Sequence, residues 1–249
     1  MAAENSPLHQ FTIETLLPIH IGGLDASFTN ASLFMCIAVA VATGFVALGM
    51  SGARLVPTRW QSLAELSYEF IAGMVDENVG EEGRAYVPFL FTLFMFVLLG
   101  NLLGMIPLVG FTYTSHIIVT FALAAVVFVG VTLIGILRHG IKFLTLFVPH
   151  GVPAVLLLLL VPIEVLSYFI RPFTLSIRLF ANMMAGHTML FMFASFVVPL
   201  ATVGFVVSGL GPLAMDIFLV LLEFLVAVLQ AYVFTILSSL YLKDAIHLH

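Results

Sequence analysis

The sequence predicts an all-α integral membrane protein: one N-terminal span, an amphipathic helix on the membrane surface, a transmembrane hairpin and two long C-terminal helices. Composition is the first reason. Of 249 residues, 62% are hydrophobic and 8% charged, against roughly 25% charged in soluble domains. A water-solvated surface cannot be built from so few charges, so the solvent is lipid. Patterning is the second reason. Residues 26–53, 85–137 and 179–215 contain no Asp, Glu, Lys or Arg, and each stretch exceeds the ~20 residues with which a helix crosses a bilayer.

The same composition excludes several classes. The net charge of −5 is spread over few groups with no Lys/Arg cluster, which argues against a nucleic-acid partner. Cys36 is the single cysteine and lies in an apolar run, so neither a disulfide framework nor a thiolate metal site is expected. We expect it to be a small buried hydrophobe. The two lysines, Lys142 and Lys243, precede Phe143 and Asp244, so there is no P-loop and no cofactor is expected on this chain. A serine hydrolase would want a Gly-x-Ser-x-Gly elbow, which is missing.

Taken in order, residues 1–26 form an external segment. Its Glu4, Glu14 and Asp25 come without a basic group, so the positive region of a cleaved signal peptide is absent and the first span is expected to remain. That span covers 27–50 and ends at Ser51-Gly52-Ala53-Arg54, with Pro57 just beyond. Over 58–84, Trp60, Leu63, Ala64, Ile71, Met74 and Val75 recur at helical spacing, while Glu65, Glu69, Asp76 and Glu77 supply polar surface. This predicts a helix along the membrane surface, the alternative being a packed helix between spans. A hairpin of two spans follows, at 86–107 and 116–137, turning around Leu108-Val109-Gly110-Phe111 and ending at Arg138, His139 and Lys142.

The last two helices are predicted at 152–193 and 211–242. The first of them would be ~63 Å long at 1.5 Å per residue, about twice the hydrocarbon thickness. It must tilt steeply or break, and Pro153, Pro162 and Pro172 are places where it can bend. With one crossing per span, Arg54, Arg59, Arg84, Arg138, Lys142 and Lys243 fall on one face. The positive-inside rule then predicts an external N-terminus and a cytoplasmic C-terminus.

Charge reappears in these two helices as Glu164, Arg171, Arg178, Asp216 and Glu223. Arg178 is the working centre, a charge expected to be buried within an apolar helix. Inserting arginine at a helix centre costs about 2.5–3.5 kcal/mol. Its guanidinium stays protonated and cannot carry a proton, so its use is a fixed positive field that attracts a carboxylate and repels a travelling proton. An internal ion pair with Glu164 or Glu223 is the plainer alternative. Glu164, Tyr168, Arg171, Leu175, Arg178 and Asn182 succeed one another by four or three residues, which predicts one polar stripe. His187, nine residues past Arg178, falls on the opposite side. In the final helix Asp216, Glu223 and Gln230 repeat every seven residues, and such a line can carry protons and waters. The plainer readings are buried protonated acids, a satisfied core histidine and an interhelical amide bond. His187 and Glu223 without a third ligand are weak as a zinc site.

The run Ser176-Ile177-Arg178-Leu179-Phe180-Ala181-Asn182-Met183-Met184-Ala185-Gly186-His187 resembles the signature of subunit a, the proton-channel subunit in the stator of F-type ATP synthase. Pro162-Ile163-Glu164, Gly100-Asn101-Leu102-Leu103-Gly104-Met105-Ile106-Pro107, and Glu223 to Gln230 with Ala231-Tyr232-Val233-Phe234 extend the resemblance along nearly the whole chain. It implies that the first helix stands vertical and that the two long helices are tilted and curve around a ring of c subunits, that b-type peripheral-stalk subunits and the rest of the F1Fo complex are partners, and that the home is a bacterial inner membrane. Arg178 would face the rotor carboxylate and separate two half-channels. Asn182, His187 and Glu223 would belong to the inlet, Glu164 to the cytoplasmic outlet, and Gln230 to the neighbourhood of Arg178. His187 with Glu223, rather than an acid with a histidine, resembles the mitochondrial and alphaproteobacterial branch. Gly104 stands where some members carry an aspartate.

Two competing classes make different demands. A secondary proton-coupled transporter should show an internal repeat, and the charged final third has no counterpart in the first. In a purely structural membrane subunit the intramembrane charges would only pair with one another.

Overall fold

The computed structural model describes residues 11–21, 24–25, 27–106, 111–148, 153–203 and 206–247. Glu4, the turn expected at 108–110 and the start expected at Val152 lie outside these. Six α-helices follow four short strands: β1 Thr15–Leu17, β2 His20–Ile21, β3 Leu24–Asp25, β4 Phe28–Thr29, α1 Asn30–Met50, α2 Arg59–Asn78, α3 Val87–Gly104, α4 Ile117–His139, α5 Ala154–Val203 and α6 Val206–Ile246. Among the described residues, five stretches are long and apolar enough to cross a membrane: Asn30–Met50, Glu81–Gly104, Ile117–Phe147, Leu156–Val197 and Leu210–Ile246.

The chain divides into two compact units, and α1, α3, α5 and α6 each contribute to both. The first comprises 1–44, 96–116 and 179–231. Its strands are a local departure from the all-α expectation. β1 pairs antiparallel with β4, placing Thr15 opposite Thr29, and β2 pairs with β3, placing His20 opposite Asp25. Asn30 ties this arm to the start of α1: its Oδ1 accepts from the Glu14 amide at 3.3 Å and its Nδ2 donates to the Thr12 carbonyl at 3.1 Å.

The second unit comprises 45–95, 117–178 and 232–249. Thr58 caps α2, its hydroxyl accepting from the Gln61 amide, and Gly80, at φ 85°, turns the chain into a short 3-10 helix, Glu81–Tyr86. The predicted amphipathic helix thus ends at Asn78, ahead of the expected 84, because only glycine takes that backbone conformation without strain. Ala64, Ile71, Met74 and Val75 are buried, whereas Trp60, Leu63, Leu66 and Phe70 are exposed. α1 comes close at Gly49, where a β-carbon would stand 3.0 Å from that of Ala64. Ion pairs Arg84–Asp76 at 2.9 Å and Arg138–Glu82 at 2.6 Å gather at the charged end. Phe143, Leu146 and Tyr168 form a core cluster, with Phe128 and Phe147 packed on it.

Three expectations need correction. α5 runs for 50 residues, ~75 Å, and passes through Pro162, Pro172 and Pro199 without a break. Its continuation past Phe193, like the start of α6 before Gly211, reflects apolar residues on both sides of the expected ends. Cys36 is exposed rather than buried; on a nearly all-apolar helix the sequence does not single out a buried face. Arg178 is also exposed, as is Asn182.

Candidate functional site

In the first unit, α5 and α6 present the predicted inlet residues to one another. His187 Nε2 stands 3.6 Å from Glu223 Oε1, with both side chains almost fully buried. That separation is an ion-pair distance, too long for a well-formed hydrogen bond. Both Glu223 oxygens and His187 Nε2 are buried with no hydrogen-bond partner among the described residues. Desolvated polar atoms of this kind are costly for a fold to retain unless they are used. The chemistry available is proton acceptance and release by an imidazole and a carboxyl within contact of each other.

Two residues that the sequence did not single out shape this pair. Gly186 leaves room for the carboxylate, since a β-carbon there would lie 2.8 Å from Glu223 Oε1. Phe11, at the end of the β1 arm, sets its ring edge-on to His187, with centroids 6.3 Å apart. Five residues before His187 on α5, Asn182 Nδ2 donates to Gln230 Oε1 at 2.9 Å, the interhelical amide bond weighed as the plain reading of Gln230. Gln230 Nε2 remains without a partner among the described residues. Asp216 is half-buried, and its Oδ1 likewise has none.

In the second unit, the predicted stripe of α5 is not uniformly polar. Tyr168 and Leu175 are buried. Arg171 Nη1 is bonded to Asp244 Oδ2 at 2.8 Å and lies over the rings of Tyr168 and Tyr241. The residues share a helical face, but what packs on that face changes along its length. Glu164 is half-buried. Arg178 is exposed, and among the described residues its guanidinium makes neither an ion pair nor a hydrogen bond, so neither Glu164 nor Glu223 neutralises it. No cluster of three His, Cys, Asp or Glu side chains occurs among the described residues, and His187 and Glu223 alone do not make up a zinc ligand set.

These features define a class: a helical integral membrane protein that keeps ionisable side chains inside its spans. The chain belongs to the ATP synthase A chain family, which it matches over residues 32–243. Curated relatives agree over almost their full length. The chain is 55% identical to ATP synthase subunit a of Paramagnetospirillum magneticum over 98% of its own length and 99% of the relative's. It is 56% identical to that of Parvibaculum lavamentivorans, over 97% and 93%, and 57% identical to that of Allorhizobium ampelinum, over 98% of each.

Proposed function

We propose that this chain, as the proton-channel subunit of the Fo stator of ATP synthase, passes protons through two offset half-channels joined only by rotation of a ring of c subunits. The observation that supports this most directly is Arg178: a permanent charge on an apolar helix, exposed and unpaired among the described residues of its own chain. Such a charge calls for a carboxylate from another chain, and the rotor carboxylate is the one that a ring of c subunits supplies. A proton bound to that carboxylate removes its attraction to Arg178 and lets the ring turn. A proton crossing directly between the half-channels meets the guanidinium field instead.

On the inlet side, Glu223 and His187 hand protons inward, Asn182 and Gln230 orient the path, and Asp216 lies on the same line of α6. Glu164 serves the outlet. The b-type peripheral stalk and the rest of F1Fo are the further partners. The chain sits in the bacterial inner membrane with its N-terminus periplasmic and its C-terminus cytoplasmic, and it performs no ATP chemistry itself.

The decisive substitution is Arg178→Ala in the assembled complex. ATP-driven proton pumping by membrane vesicles is expected to disappear while assembly, followed by immunoblot, persists. Normal coupled pumping by this variant would overturn the reading.

A further inference from the structure

The Gly100-Asn101-Leu102-Leu103-Gly104 run has so far no part in the function. Asn101 is fully buried, and both ends of its amide are used. Nδ2 donates to the Ala227 carbonyl of α6 at 3.2 Å, and Oδ1 accepts from the Thr114 hydroxyl at 2.8 Å. We infer that Asn101 is a positioning residue for the proton-carrying face of α6, clamping that helix at a carbonyl between Glu223 and Gln230.

Three observations carry this further than a merely satisfied core asparagine. The first is the acceptor. Ala227 follows Glu223 by four residues and precedes Gln230 by three, so the three share one stripe of α6, and all three are buried. A carbonyl inside an α-helix already has a donor from the next turn. The bond from Asn101 is therefore not needed to satisfy it, and its effect is to fix how α6 is rotated and how far it has slid.

The second is the direction of the amide. The Ala227 carbonyl can only accept, so Nδ2 must face α6, and the flipped amide would set Oδ1 against that carbonyl; the Thr114 hydroxyl, able to donate or accept, then donates to Oδ1. The third is the anchoring of Thr114. It belongs to the short 3-10 helix Tyr113–Ser115, and this segment is seated on α3 through the two glycines of the motif. A β-carbon at Gly104 would collide with the Thr112 side chain, and one at Gly100 with the Tyr113 ring. The Thr112 hydroxyl donates to the Gly100 carbonyl at 2.9 Å, and the Tyr113 hydroxyl to the Phe96 carbonyl at 2.7 Å. Glycine, hydroxyl and amide thus form one rigid bracket ending on α6.

The inference rests on Glu223 being a proton carrier, so its test includes Glu223→Gln. Asn101→Leu, Thr114→Val and Thr114→Ser are assayed in vesicles carrying the assembled synthase, with proton pumping measured across a range of pH. A fault of position of the order of an ångström slows a reaction by up to about a hundredfold. Asn101→Leu is expected to lose roughly tenfold or more in pumping per assembled complex, and the pH profile should move. A loss of intact complexes alone would scale the profile without moving it. Thr114→Val should change the profile in the same sense, and Thr114→Ser, which keeps the hydroxyl, should restore it. Should Asn101→Leu fail to assemble, the two Thr114 variants decide. Identical profiles for Thr114→Val and Thr114→Ser overturn the clamp, as does a native profile for Asn101→Leu. Loss of pumping in Glu223→Gln alongside those results confines the failure to the clamp, whereas unchanged flux in Glu223→Gln overturns the role of Glu223 itself.

Discussion

Glu223 occupies space that only a glycine opposite it leaves open. Gly186→Ala would drive a methyl group to within 2.8 Å of the carboxylate oxygen, and because that methyl is fixed to the helix backbone, the rotatable glutamate side chain yields. Glu223 then leaves His187. Proton pumping per assembled complex should fall by roughly tenfold or more, in line with what small misplacements do to proton and group transfer. Native flux in this variant would show that the carboxylate's position is not critical. Asp76 makes a different kind of prediction. Its hydrogen bonds to the Arg84 guanidinium hold the carboxyl below its ordinary value of 3.8. A lowered value means that the pair contributes fully above the ordinary carboxylate range and is lost as pH falls through the folded value. Asp76→Asn should therefore remove the small contribution of this exposed pair at neutral pH, match the native chain once pH falls below about 4, and so weaken the acid sensitivity of unfolding, read from thermal melts of the purified complex at several pH values. Unaltered acid sensitivity in the variant would remove Asp76 from the account.

At the scale of elements, α5 and α6 are tied in the second unit by Arg171 and Asp244, with Tyr168 and Tyr241 stacked against the guanidinium. A charge-assisted bond of this kind is worth about 1.5–3 kcal/mol, discounted here because both groups are partly exposed. Asp244→Ala should lower the melting temperature of the complex by a few degrees, and exchanging the two charges should recover part of the loss; equal stability of Asp244→Ala and the native chain would refute the tie. The sequence made α3, α4 and the existence of both long helices legible, because unbroken apolar runs leave few alternatives in lipid. It also placed Glu223, His187, Asn182 and Gln230 on α5 and α6, since helical spacing survives burial. Asp244 and Tyr241 were hidden because they lie about 70 residues from Arg171. Gly186 was hidden in another way: what it contributes is an absent side chain, and no periodicity marks that. The exposure of Arg178 and Cys36 was misjudged for a shared reason. On helices apolar all round, hydrophobic pattern does not say which face meets protein and which meets lipid or a partner.

For the whole molecule, the arrangement of basic residues makes one testable statement about orientation. Arg138 and Lys142 terminate the same hairpin end, and the positive-inside rule assigns them to the cytoplasm. Trypsin should cut there in inverted vesicles and not in right-side-out spheroplasts; cleavage from the outside would reverse the orientation. Arg178 has a last consequence, which concerns the chain before it meets a rotor. Exposed on an apolar helix and without an ion-pair partner among the described residues, its guanidinium would leave a newly inserted, solitary subunit with a cost of several kcal/mol that a carboxylate from a partner chain would relieve. Surplus copies should therefore be short-lived in the membrane, and the residue proposed to face the rotor would also mark unassembled chains for removal.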